Sequence, residues 1–215
     1  MADTLDYTKE YKDLYLPPKK PCVIEIPALP FLYLDGTGAP EGAAYQNGVS
    51  ALYAVSYTIK FSKKGGNAPA GFFEYKVPPL EGLWYDIPTL QPGNRDTWRF
   101  TSMIRLPDFV TPEVLAWAMD TASAKKPEID FSVLRHGTWA EGLCVQCMHM
   151  GPYAAEPETL ALMDAYIAEN GYEADFTDAA TGLARRHHEL YLGDPRKSKP
   201  ENLKTVLRHP VRKMG

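Results

Sequence analysis

Short apolar runs separated by prolines open the patterned part of the chain. Cys22-Val23-Ile24-Glu25-Ile26 and Phe31-Leu32-Tyr33-Leu34 are β-prone and read as strands. After the break at Gly36-Thr37-Gly38-Ala39-Pro40, residues Val49, Leu52, Tyr53, Ser56 and Tyr57 recur at spacings of three and four. That period predicts a helix over about 41–60. Residues 72–77, 82–85 and 98–105 read as further strands. Thr111-Pro112-Glu113 offers an N-cap and a proline at the first helical position, so a helix is predicted from there to about 125. Residues 139–150 read as one extended strand. Glu156-Pro157-Glu158 opens a third helix that Asn170-Gly171 closes. Residues 187–192 form the last clear strand, and 202–208 read as a short final helix. Residues 1–21 are polar, end in a proline cluster and read as an arm that packs late or not at all, with a helical stretch near 8–13.

The order strand, Gly/Pro turn, helix, strand occurs twice. Residues 31–34, the turn at 36–40 and the helix after Glu41 correspond to 145–150, Gly151-Pro152 and the helix after Glu156. Residues 82–88 then correspond to 189–195, which matches Trp84 with Tyr191. The repeat implies an α+β domain spanning 22–215. Its two similar halves, about 22–110 and 111–215, would meet about a pseudo-twofold with a cleft between them.

Composition narrows the function classes. A chain of 215 residues that is 45% hydrophobic and 23% charged is an ordinary globular one. A net charge of −4 argues against a nucleic-acid partner. The basic run over 194–200, continued by Lys204, Arg208, Arg212 and Lys213, reads as a solvated surface segment. The N-terminus lacks the features of a signal peptide, and no apolar run approaches the ~18 residues that span a bilayer. Three cysteines fit a reducing compartment, so the expected location is cytoplasmic, without membrane attachment.

Candidate chemistry then reduces to one strand. Cys144 and Cys147 have CxxC spacing, but on an extended strand residues three apart point to opposite faces, so they read as small buried hydrophobes. The glycines at 36, 38 and 42 match neither dinucleotide nor P-loop spacing. His187 and His188 lack the i, i+4 partner of a zinc-binding helix, and no metal or cofactor is expected. On a strand, His187, Glu189 and Tyr191 share one face, while His188, Leu190 and Leu192 share the other. The leucines imply that their face packs under the helices, leaving Glu189 on the face away from them. Glu189 is an unusual strand residue, either a solvated edge glutamate or a carboxylate turned into a cleft. A buried carboxylate costs several kcal/mol unless paired or hydrogen-bonded, and nearby tyrosines could donate. Trp84 and Tyr191 would point at the cleft from opposite halves; Tyr53 and Tyr57 would line it or pack the core. Aromatic walls around one carboxylate suit flat, often cationic molecules.

Taken together, several segments resemble the stand-alone members of the GyrI-like small-molecule-binding family. They are residues 78–84, 101–110 and 141–153, the run Arg186-His187-His188-Glu189-Leu190-Tyr191-Leu192-Gly193-Asp194-Pro195-Arg196-Lys197, and 203–211. The likeness extends from about residue 7, and the order and spacing of the segments make it specific. It implies two related β-α-β-β halves forming a concave antiparallel sheet with helices on its outer face. It is also similar to the ligand-sensing domains of multidrug-responsive regulators, where a strand glutamate meets aromatic cations. Glu189 occupies the matching position, with Tyr191, Trp84 and Tyr153 as aromatic walls. An arm of 21 residues is too short for a helix-turn-helix, so direct DNA binding is not expected. Binding of a flat aromatic ligand is the first function implied. The second is hydrolysis that opens the cyclopropane ring of DNA-alkylating compounds, with Glu189 as general base and a tyrosine such as Tyr191, or His187, polarising the ligand. A protein-inhibitor or co-regulator role, with a protein partner, is the third.

Overall fold

The computed structural model describes residues 4–85, 95–176 and 185–215. Its strands are β1 (Cys22–Ile26), β2 (Leu29–Thr37), β3 (Leu80–Tyr85), β4 (Arg99–Arg105), β5 (Arg135–Trp139), β6 (Gly142–Met150), β7 (Tyr172–Ala174), β8 (His187–Tyr191) and β9 (Lys204–Lys213). Its helices are α1 (Tyr7–Glu10), α2 (Lys12–Tyr15), α3 (Ala43–Lys60), α4 (Pro112–Lys125) and α5 (Glu156–Glu169). The strands form one curled antiparallel sheet in the order β1-β6-β9-β8-β3-β4-β2-β5, with β7 pairing β9 off this path. The α+β class and the two related halves are therefore present: β2-α3-β3-β4 and β6-α5-β8-β9. In each, the last strand lies between the other two, and the halves join where β3 pairs β8. That register sets Gly82 opposite Glu189, Leu80 opposite Tyr191 and Trp84 opposite His187. The approximate twofold thus passes through the Gly82–Glu189 pair. Residues 86–88, part of the repeat correspondence, lie outside the described residues.

Local signals explain most boundaries. Thr111 Oγ1 accepts a hydrogen bond from Val114 N at 3.3 Å, with Pro112 opening α4. Gly171, at φ +75°, follows the Asn170 cap of α5. Residues 139–150 are not one strand. Gly142 at φ +67° turns the chain, and β5 and β6 end up far apart in the sheet, pairing β2 on one side and β1 and β9 on the other. Residues 72–77 form no strand; Tyr75 alone bridges Leu5, while Phe72, Phe73 and Tyr75 pack around Phe109.

The largest departure lies at the C-terminal end. Residues 202–208 are not helical: β9 is a central strand, paired with β6 on one side and β8 on the other. Of the basic residues expected on a solvated surface, Arg208 is buried, while Arg196, Lys197, Lys199, Lys204, Arg212 and Lys213 are exposed. Pro210 is tolerated because β8 pairs only Thr205 to Arg208, so no ladder bond is lost to it on that side.

Two layers cover the sheet. α3 and α5 pack on one face: Met163 and Ile167 of α5 close over Val145, Cys147, Leu207 and Val211, and Gly48 of α3 abuts Leu34. The N-terminal arm covers part of the other face. It does pack: Tyr7, Leu14 and Tyr15 are buried. The Arg105 guanidinium stacks on Tyr7 and Tyr11, 4.9 and 4.4 Å from their centroids. Gln146 Nε2 donates to Asp13 O at 2.7 Å and Arg208 Nη2 to Leu14 O at 2.9 Å. Arg208 Nη1 also reaches Glu141 Oε2 at 3.0 Å, and His188 lies between Glu141 and Glu81, 2.9 and 3.0 Å away. Tyr15 donates to Glu81 at 3.3 Å. Buried charges persist only where they pair, and this set pairs two carboxylates with two cations. Among the described residues, no helix is long and apolar enough to cross a membrane.

Candidate functional site

On the helix-bearing face, a cavity of about 1760 Å³ opens between α3, the start of α5 and strands β3 and β8. Drug-sized ligands usually occupy about 300–1,000 Å³, so this cavity admits a large one. Glu189 and Tyr191 of β8 line it with Trp84 of β3. Trp84 Nε1 donates to Tyr191 Oη at 3.0 Å, across the twofold from one half to the other. That bond passes over Gly82: a Cβ there would lie 2.9 Å from Tyr191 Oη and 3.2 Å from Trp84 Nε1. Any Cβ at 82 would push the two rings apart, so glycine is what lets this bond form. Tyr45 of α3 stacks on Trp84, with centroids 6.0 Å apart and planes 13° apart. Tyr153, in the turn before α5, stands edge-on to Tyr191. Tyr53 and Tyr57, on the same stripe of α3 as Tyr45, continue the wall, stacked on each other at 6.0 Å.

Glu189 is only 9% exposed. His187 Nε2 stands 3.0 Å from its Oε1, and His187 Nδ1 stands 2.8 Å from His209 Nε2. A second carboxylate, Glu156 at the first position of α5, is buried in the same cavity, and its Oε1 has no hydrogen-bond partner among the described residues. Burial, then the charge on Glu189, push Glu156 up to about 9. Burial and Glu189 likewise push Tyr153 up to about 12 and raise Tyr45 and Tyr191 further. The phenols are therefore neutral donors facing two buried carboxyl groups.

Glu189, Tyr191, Trp84, Tyr153, Tyr53 and Tyr57, scattered through the sequence, all line this one cavity. His187 does not; it lies behind Glu189. The face is the reverse of the one expected, since Glu189 lies beneath the helices rather than away from them. Strand alternation groups residues by face but does not say what covers each face. Leu190 packs beside Leu14 and Tyr15 of the arm, an apolar cover that the polar N-terminus disguised. Glu156 and Tyr45 escaped the sequence reading. A carboxylate in a helix's first turn is ordinarily a dipole partner, and only its burial marks it out. Cys144 and Cys147 fall in different apolar clusters on opposite faces. Among the described residues, no group of three or more His, Cys, Asp or Glu is placed to hold a metal ion.

Two related halves with an aromatic cavity at their junction define a small-molecule-binding domain. The chain belongs to the GyrI-like small molecule binding domain family, whose sequence profile matches residues 19–212. The crystal structure of a hydrolase from Listeria innocua is 44% identical, with a TM-score of 0.87, over 97% of this chain and 100% of that one. An uncharacterized conserved protein from the same organism is 45% identical, with a TM-score of 0.90, over 97% and 100%. The EcmrR C-terminal domain shares 14% identity and a TM-score of 0.53 over 91% and 98%, a likeness of fold. No curated protein matches the chain.

Proposed function

We propose that this protein binds flat aromatic ligands, cationic ones most tightly, in the cavity around Glu189. The observation that supports this reading is a nearly buried carboxylate facing a large cavity walled by Trp84, Tyr45, Tyr53, Tyr57, Tyr153 and Tyr191. Ring faces give stacking area to any flat molecule. A cation gains in addition about 0.5–2 kcal/mol from each well-placed ring and the attraction of the carboxylate. The test is a titration of wild type and Glu189→Gln with a fluorescent aromatic cation and a neutral analogue of the same shape. Glu189→Gln weakens the cation by at least about tenfold and leaves the neutral analogue nearly unchanged. Equal loss for both would show that the charge is not the recognition element.

A second reading, hydrolysis, draws on the carboxylate pair and on the Listeria relative described as a hydrolase. Glu189 takes a proton from water as the water oxygen bonds to an electrophilic ring carbon. The ring bond breaks toward the ligand carbonyl, and Glu156 or Tyr191 supplies a proton there. Incubation with a cyclopropane-bearing alkylator, followed by mass spectrometry, separates the readings. A product heavier by one water, absent with Glu189→Gln, supports hydrolysis; bound but unchanged compound supports binding alone.

A further inference from the structure

The two carboxylates of the cavity differ in what stands behind them. Glu189 Oε1 has the His187 ring at 3.0 Å, and that ring is backed by His209 at 2.8 Å. Glu156 Oε1 is buried without a partner among the described residues. Among the described residues, neither carboxylate has a Lys or Arg within ion-pair distance. Two such groups in one desolvated site do not both ionise, and the proton goes to the one with the poorer donor supply. We propose that His187, held by His209, is a positioning residue that assigns the charge of this pair. It makes Glu189 the anion and Glu156 the neutral acid, and so sets the cavity's preference for cationic ligands. The inference rests on the binding reading above.

Hydrogen-bond logic leaves His187 one way to face Glu189. A charged carboxylate only accepts, so His187 carries its hydrogen on Nε2. Its Nδ1 then accepts from His209 Nε2–H, or donates to a bare His209 Nε2 while His187 is an imidazolium. Burial, then the neighbouring His187, hold His209 down at about 3, so His209 is neutral in either arrangement. Among the described residues its own Nδ1 has no hydrogen-bond partner; Asp164 Oδ1 of α5 is 4.0 Å away, and Phe176 meets the ring edge-on. Neither histidine lines the cavity, so His187 acts on a ligand through Glu189. The other titratable groups facing the pair are Tyr45 from α3, Tyr153 from the turn before α5 and Tyr191 from β8, while Asp194, in the loop beyond β8, faces Tyr153. Asp194 is itself paired with Arg196 at 2.9 Å. None of these is a cation.

The experiment reads the proton directly in ligand-free protein, by the infrared band of protonated carboxyl groups. The band assigned to the cavity acid disappears in Glu156→Gln, returns in Glu156→Gln/His187→Leu as Glu189 takes a proton, and stays absent in Glu156→Gln/His187→Gln, where the amide still donates. In parallel, His187→Leu lowers affinity for an aromatic cation on the order of tenfold while sparing the neutral analogue. His209→Leu, which leaves His187 in place, moves the pH midpoint of cation binding upward. Survival of the band in Glu156→Gln overturns the inference, and that arm needs no histidine variant to fold. So does a Glu156→Gln/His187→Leu protein with no returning band alongside a His187→Leu protein that weakens both dyes equally. If the spectra come out as expected but wild type binds neither dye, the ligand reading fails and the charge assignment stands.

Discussion

Glu156 has a thermodynamic signature of its own. Its carboxyl titrates at about 9 in the folded chain, against an ordinary value of 4.5, because burial and then Glu189 oppose its charge. The folded state therefore holds a proton that the unfolded state has released between those two pH values. The sign follows: its stabilising effect is complete below about 4.5 and is lost as pH rises through 9. Glu156→Gln removes that loss, so melting curves show the variant gaining on wild type as pH rises from 5 to 8, on the order of the linkage slope. At Gly82 the controlling quantity is distance. Gly82→Ala places a Cβ 2.9 Å from Tyr191 Oη, so the Trp84–Tyr191 hydrogen bond opens. A cost of about 0.5–1.5 kcal/mol by denaturant titration is expected, together with weaker binding of cationic and neutral dyes alike.

At the scale of elements, the buried charge cluster ties the arm to the sheet. Burial disfavours charge on His188 and Glu141, yet each overcomes it through its partners. Glu141 and Glu81 raise His188 to about 9, and His188 and Arg208 hold Glu141 down at about 2. The raised imidazole contributes stability that is complete below about 6.5 and lost as pH climbs through 9. The depressed carboxyl contributes stability that is present above about 4.5 and lost as pH falls through 2. Glu141→Gln leaves two buried cations facing one carboxylate. It costs about 3–5 kcal/mol in a denaturant titration and speeds hydrogen exchange over α1 and α2. The same cluster explains why β9 was hard to read. Arg208 and His209 break the alternation of a buried strand, and only the partners supplied by Glu141, Gln146, His187 and the arm make those residues tolerable there.

For the whole molecule, the junction of the halves is also the site. The β3–β8 register carries the aromatic bridge, and the cavity extends from it along α3 to Tyr57. A ligand that fills it ties both halves together and stabilises the fold by linkage. At about 100 times its Kd, the expected gain is about 2.7 kcal/mol, read as a rise in melting temperature that depends on ligand concentration. What the linear sequence determined by itself was local: the period of α3, the caps of α4 and α5, the repeat, and the grouping of His187, Glu189 and Tyr191 on one side of a strand. These follow from backbone geometry and from chemistry that neighbours along the chain share. Only the tertiary structure decided which face α3 and α5 cover, that β9 is central, and that Glu156 lines the same cavity as Glu189. Each of these depends on long-range partners that neutralise or desolvate a residue, and propensity in a short window carries no record of them.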